Sequence, residues 1–218
     1  MSKRMHNGEI SVRNTVARWI KLLLSFVFLI ITRLVRTKKA RIVFSQSRGL
    51  YSGNSRYLFE YLASSGCDVR WIFTSIAQKN KIPDKYHSIT LRRNSLSGFF
   101  YTLTSQFAVL SHGSGDFGLY WNLVKHRCVI NLWHGTGIKF VGVLDRKASH
   151  KSRNKYIDQE TKFYDVVTVA SQTFRYLFSA SHGIDVRKIF VTGDPRVDNY
   201  IKGREVVNRS KGSVKTFK

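Results

Sequence analysis

The sequence predicts an α/β protein built on a Rossmann-like, doubly wound parallel sheet. Three observations predict it. Short runs rich in β-branched and aromatic residues recur from Arg41 to Val191. Stretches with apolar residues at helical spacing lie between them. Glycine, proline and small polar residues cluster where the runs end.

Taken in order, Arg41 to Ser45 reads as the first strand, and Gly49 with Gly53-Asn54 as a turn. Ser55 to Ser65 places Tyr57, Leu58, Tyr61 and Leu62 at a helical period, and Gly66 closes that helix. Val69 to Thr74 is a second strand, Pro83-Asp84 a loop, and His87 to Leu91 a short third strand. Ser95 to Thr104 reads as a helix, Phe107 to Ser111 as the fourth strand, and Arg127 to Leu132 as the fifth. Asp165 to Val169 is the sixth, Thr173 to Ser181 a helix, and Lys188 to Val191 the seventh. In such sheets ligands sit beyond the carboxyl ends of the strands. That directs attention to Gln46–Asn54, His112–Gly118, Trp133–Lys139 and Gly193–Asp198.

Charge narrows the partners. The 37 Lys+Arg against 13 Asp+Glu leave a formal +24, which favours anionic partners. Nucleic acid is not expected, because no recognition helix or aromatic-basic signature is present. The two cysteines, Cys67 and Cys128, are far apart, which argues a reducing, cytoplasmic setting. No metal-ligand spacing occurs, so neither a metal nor another cofactor is expected.

Residues 1–40 form a basic N-terminal segment. Its uncharged run, Leu22 to Thr32, is shorter than the roughly 17–25 apolar residues needed to span a bilayer. Arg18, Lys21, Ser25, Thr32 and Arg36 share one face at about 100° per residue, and the rest of the circumference is apolar. The pattern fits a helix lying in a membrane interface better than a spanning anchor or a helix packed on its own domain. Arg33, Lys38, Lys39 and Arg41 add attraction to an anionic cytoplasmic leaflet. Residues 41–202 are the Rossmann-like lobe, and 203–218 a basic tail without period.

Gly113-Ser114-Gly115-Asp116-Phe117-Gly118 matches a dinucleotide fingerprint. It follows the fourth strand, however, and no acidic residue lies about 20 positions on to hold a ribose. A turn into a helix near Tyr120 is the better reading. Trp133-His134-Gly135-Thr136-Gly137 places a histidine directly after a buried strand. Gly135 lets backbone amides approach a phosphate closely, Thr136 adds a hydroxyl, and Lys139 adds positive charge. A neutral imidazole takes a proton from an alcohol near neutral pH; a histidine that caps the next helix is the other reading of His134. In Gly193-Asp194-Pro195-Arg196-Val197-Asp198, Pro195 suits the first turn of a helix. Arg196 and Asp198 there are candidates for phosphate binding. Arg196 paired with Asp194 or Asp198 to organise the turn is the alternative. His112, at the end of the fourth strand, is a further pocket candidate. Lys147 to Arg153, with His150, reads as a basic loop.

These segments together resemble the CDP-glycerol glycerophosphotransferase family, which builds teichoic acids and related capsules. The resemblance rests on Ile42–Ser47 with Gly53-Asn54-Ser55-Arg56-Tyr57, on Asn131–Lys139, on Tyr164–Ser171 and on Gly193–Asp198. Gly137 stands where many relatives carry proline. The resemblance implies one lobe of a GT-B fold, with His134 as general base on the acceptor's terminal hydroxyl. That hydroxyl would attack the β-phosphate of CDP-glycerol and release CMP, with Lys139 and Arg196 stabilising the phosphate. It implies a lipid-linked polyol-phosphate acceptor at the cytoplasmic membrane face. It also implies a second, nucleotide-binding lobe after residue 200, whereas the sequence ends at Lys218. The expectation is therefore a fragment, a truncated product or a half that needs a partner. The competing expectation is a non-catalytic peripheral module that binds anionic polymer or lipid.

Overall fold

The structure is a computed structural model that describes Trp19, Leu23, residues 26–135 and residues 142–201. Packing divides the chain into two units, Met1–Arg36 and Thr37–Lys218.

In the first unit, helix α1 is described over 26–34. Phe26, Val27, Ile30 and Leu34 are exposed, as are Trp19 and Leu23. At about 100° per residue these fall on one face, an apolar stripe open to solvent. Arg33 and Arg36 are also exposed. Thr32, expected among the cations, is instead buried, and its hydroxyl is satisfied by donating to the Leu29 carbonyl (2.9 Å). Arg18, Lys21 and Ser25 of that stripe lie outside the described residues, as do residues 1–14 and 203–218. Among the described residues no helix is long and apolar enough to cross a membrane.

The second unit is built on seven parallel strands in the order β3-β2-β1-β4-β5-β6-β7. They are β1 (Lys38–Phe44), β2 (Val69–Phe73), β3 (Thr90–Arg92), β4 (Ser105–Leu110), β5 (Cys128–Asn131), β6 (Val166–Val169) and β7 (Ile189–Val191). Strand order reverses between β1 and β4, which opens the crevice where such sheets take ligands.

The longer helices are α2 (Gly53–Ser64), α4 (Leu96–Thr104), α6 (His150–Gln159) and α7 (Gln172–His182). Short turns of helix form α3 (Ile76–Lys79) and α5 (Trp121–Val124), and helix α8 is described over 195–201. The starts follow capping chemistry: Ser95, Ser149 and Ser171 each accept a backbone N–H three residues on. Helix α6 corrects the basic-loop reading of Lys147–Arg153, because the Ser149 cap starts a helix at His150. One aromatic cluster fills the space between α2 and the sheet. Phe59 meets Trp71 and Phe44 edge-on, with ring centres 5.5 and 5.6 Å apart. That packing seats α2 with its N-terminus at the crevice.

Candidate active site

The site is assembled from strand ends. Beyond β4 the chain turns sharply at Ser111-His112. The buried carboxylate of Asp116 holds that turn, accepting the N–H groups of Ser111 and His112 at 2.9 Å each. The Ser45 hydroxyl at the end of β1 donates to the Asp116 carbonyl (2.5 Å), and the Ser55 and Ser111 hydroxyls meet at 2.5 Å. The glycine-rich segment is therefore a pair of tight turns around Asp116, not the start of a dinucleotide-binding helix. Burial pushes the Asp116 carboxyl above its ordinary range, against the amide hydrogen bonds that lower it.

His134 follows β5 and is exposed. Its Nδ1 lies 3.1 Å from the carbonyl of Ser111. A carbonyl only accepts, so Nδ1 carries a hydrogen, and in the neutral ring the lone pair is then on Nε2. The ring stacks on His112, with centroids 4.4 Å apart and planes within 3°. Partial burial, aided by His134, lowers the pKa of His112, with Asp116 opposing. The two imidazoles thus form a parallel stacked pair just beyond the ends of β4 and β5.

The residue before His134 is strained. Trp133 has φ of +52°, a left-handed conformation that costs a bulky L-residue about 1–3 kcal/mol. Its surroundings enforce it. The Trp133 N–H donates to Asn131 Oδ1 (2.8 Å), and its ring packs edge-on against Phe178 and His182 at 4.7 Å each. Gly135, with φ of +149°, then carries the chain under Arg196; a Cβ there would lie 3.2 Å from Arg196 Nη2. Arg196 Nη2 is also 3.8 Å from Asp194 Oδ2, the turn-organising pair that the sequence allowed.

The structure therefore brings His134, Gly135, Arg196 and His112 together. Asp198 does not join them. It sits two residues beyond Arg196 on α8, and residues so spaced point to different sides of a helix. It lines a cavity of about 620 Å³ with Tyr57, Tyr61 and Lys85. Thr136, Gly137 and Lys139 fall outside the described residues. Sequence reasoning assigned no role to His182, read Asn54 and Asp116 only within turns, and read Ser111 only as the end of a strand. Their signal is long-range contact, which no local pattern carries. Among the described residues no cluster of three metal-ligating side chains occurs.

Against this geometry, the family model for CDP-glycerol:poly(glycerophosphate) glycerophosphotransferases matches residues 26–213. The chain belongs to this family. Solved structures agree on the fold. The wall teichoic acid polymerase TagF is 21% identical, with a TM-score of 0.62 over 86% of this chain and 47% of that one. A histidine-to-asparagine variant of TagF soaked with CDPG gives 21% identity and a TM-score of 0.64, covering 84% of this chain and 47% of that one. The chain thus spans about half the length of the TagF structures it matches. No curated protein matches it.

Proposed function

We propose that this chain is the acceptor-side lobe of a GT-B glycerophosphotransferase that transfers glycerol phosphate from CDP-glycerol to a teichoic-acid or capsule polymer. One observation carries the reading: the Ser111 carbonyl fixes the hydrogen of His134 on Nδ1 and leaves Nε2 as a base at the strand ends. In this reading Nε2 takes the proton from the terminal hydroxyl of the acceptor. The hydroxyl oxygen forms a bond to the β-phosphorus of CDP-glycerol, and the bond from that phosphorus to the bridging oxygen breaks. CMP leaves with the bonding electrons. Arg196 balances the charge spread over the transferring phosphoryl group, and the Gly135 amide, Thr136 and Lys139 add donors nearby. A second lobe holds the nucleotide.

The acceptor is lipid-linked, and the protein is peripheral to the cytoplasmic face of the membrane. The exposed apolar stripe of α1 and the +24 net charge support that placement.

His134→Ala in the full-length context tests the reading. A general base contributes about 10²–10⁴-fold, so transfer falls by that much while membrane binding is retained. Transfer unchanged by the substitution favours the non-catalytic, polymer- or lipid-binding module instead. The 218-residue chain alone releases no CMP from CDP-glycerol; release at an enzymatic rate contradicts the division of labour between lobes.

A further inference from the structure

Asn54 is the second residue of α2 and is 1% exposed. A buried carboxamide is held by hydrogen bonds, and this one reaches two loops that the sheet keeps apart. Its two N–H bonds are divided among the Leu132 carbonyl (3.2 Å), the Trp133 carbonyl (3.1 Å) and Asp194 Oδ1 (3.3 Å). Its Oδ1 accepts the Arg196 N–H at 3.5 Å. The first two acceptors follow β5 and the others follow β7, with β6 lying between. One side chain therefore holds the residue before His134 and the backbone of Arg196.

We propose that Asn54 is the positioning residue of this site: its carboxamide sets the placement of His134 relative to Arg196 by clasping the β5 and β7 loops. The chemistry selects asparagine. Aspartate offers no donor and would set a carboxylate against two carbonyls and Asp194. Alanine reaches nothing, and glutamine is one methylene too long for a site this closed. Without the clasp, Asn131, Phe178 and His182 still hold the N–H and ring of Trp133, but its carbonyl is free to rotate about ψ, turning the Trp133–His134 peptide plane. That rotation carries His134 off the Ser111 carbonyl and unlocks its tautomer. The meaning for catalysis rests on His134 being the base; the geometry does not.

The test is 15N-histidine NMR on the 218-residue chain, comparing wild type with Asn54→Ala and Asn54→Asp. Phe59→Leu serves as a control that loosens the core under the same helix while removing no atom of the clasp. Wild type is expected to show His134 as a fixed Nδ1–H tautomer. Both Asn54 variants are expected to lose that signature, with ring nitrogens averaged between tautomers, while Phe59→Leu keeps it. Unchanged His134 resonances in a folded Asn54 variant overturn the proposal, and so does equal averaging in Phe59→Leu. Failure of both Asn54 variants to fold beside a folded Phe59→Leu makes Asn54 a stability residue and also overturns it. In the full-length transfer assay, Asn54→Ala is expected to lower kcat about 100-fold with little change in KM. A fixed tautomer in the 218-residue chain, beside a full-length wild type that transfers nothing, counts against the functional reading, not against the clasp.

Discussion

At the scale of single residues, the groups behind the site set its dependence on pH. His182 is buried, stacked on Phe178 at 3.9 Å and edge-on to Trp133. Burial lowers its pKa to about 4, with the nearby His134 adding a smaller push. The ordinary value is about 6.5. Between pH 6.5 and 4 the unfolded chain therefore binds the extra proton, and stability falls as pH falls through that window. The span corresponds to about 3 kcal/mol. Urea unfolding of wild type and His182→Gln across this range checks it: the stability advantage of wild type shrinks toward pH 4, and a constant difference contradicts the assignment. The placement of His134 and Arg196 beyond strand ends was legible in the sequence because each sits in a short motif after a strand. Asn54, Asp116 and His182 were not, because each acts on residues that only the fold brings near. Asn54 and Asp194, for example, are 140 positions apart.

At the scale of elements, the loops matter more than the helices and strands they join. Gly142 begins the short turn Gly142–Leu144 with φ of +63°, and an added Cβ would lie 2.2 Å from the Ser181 carbonyl on α7. Gly142→Ala is therefore expected to destabilise by about 1–3 kcal/mol, read as a lower urea midpoint with an unchanged slope. Long elements with clear periods, such as α2 and α7, were legible to within about two residues. Two failed for physical reasons. Helix α3 is a single turn, too short for a period to register. The first turn of α6, His150-Lys151-Ser152-Arg153, has no apolar face and reads as loop. Strand β1 also starts at Lys38, before the Arg41 expected: Lys38, Lys39 and Ala40 are exposed and carry no apolar alternation, yet Lys38 pairs with Ser105 of β4.

At the scale of the whole molecule, strand order was inferred only as a class. The alternation of strands and helices predicts a parallel sheet, and crossovers in such sheets are constrained in hand. Which strands adjoin at the crevice depends on packing across the sheet. The charge of +24 and the stripe of Trp19, Leu23, Phe26, Ile30 and Leu34 predict binding to anionic vesicles. Co-sedimentation with phosphatidylglycerol vesicles is expected to be strong at low salt and to weaken as salt rises. Leu23→Asp with Ile30→Asp is expected to lower it further. Equal binding to zwitterionic vesicles contradicts the electrostatic part.

The central claim is that His134 Nε2 takes the acceptor's proton. Chemical rescue tests it most directly: transfer from CDP-glycerol by the full-length His134→Ala variant, measured with and without added imidazole. The account predicts a loss of about 10²–10⁴-fold without imidazole and partial recovery that grows with imidazole concentration. A variant that transfers at the wild-type rate with no imidazole present contradicts it.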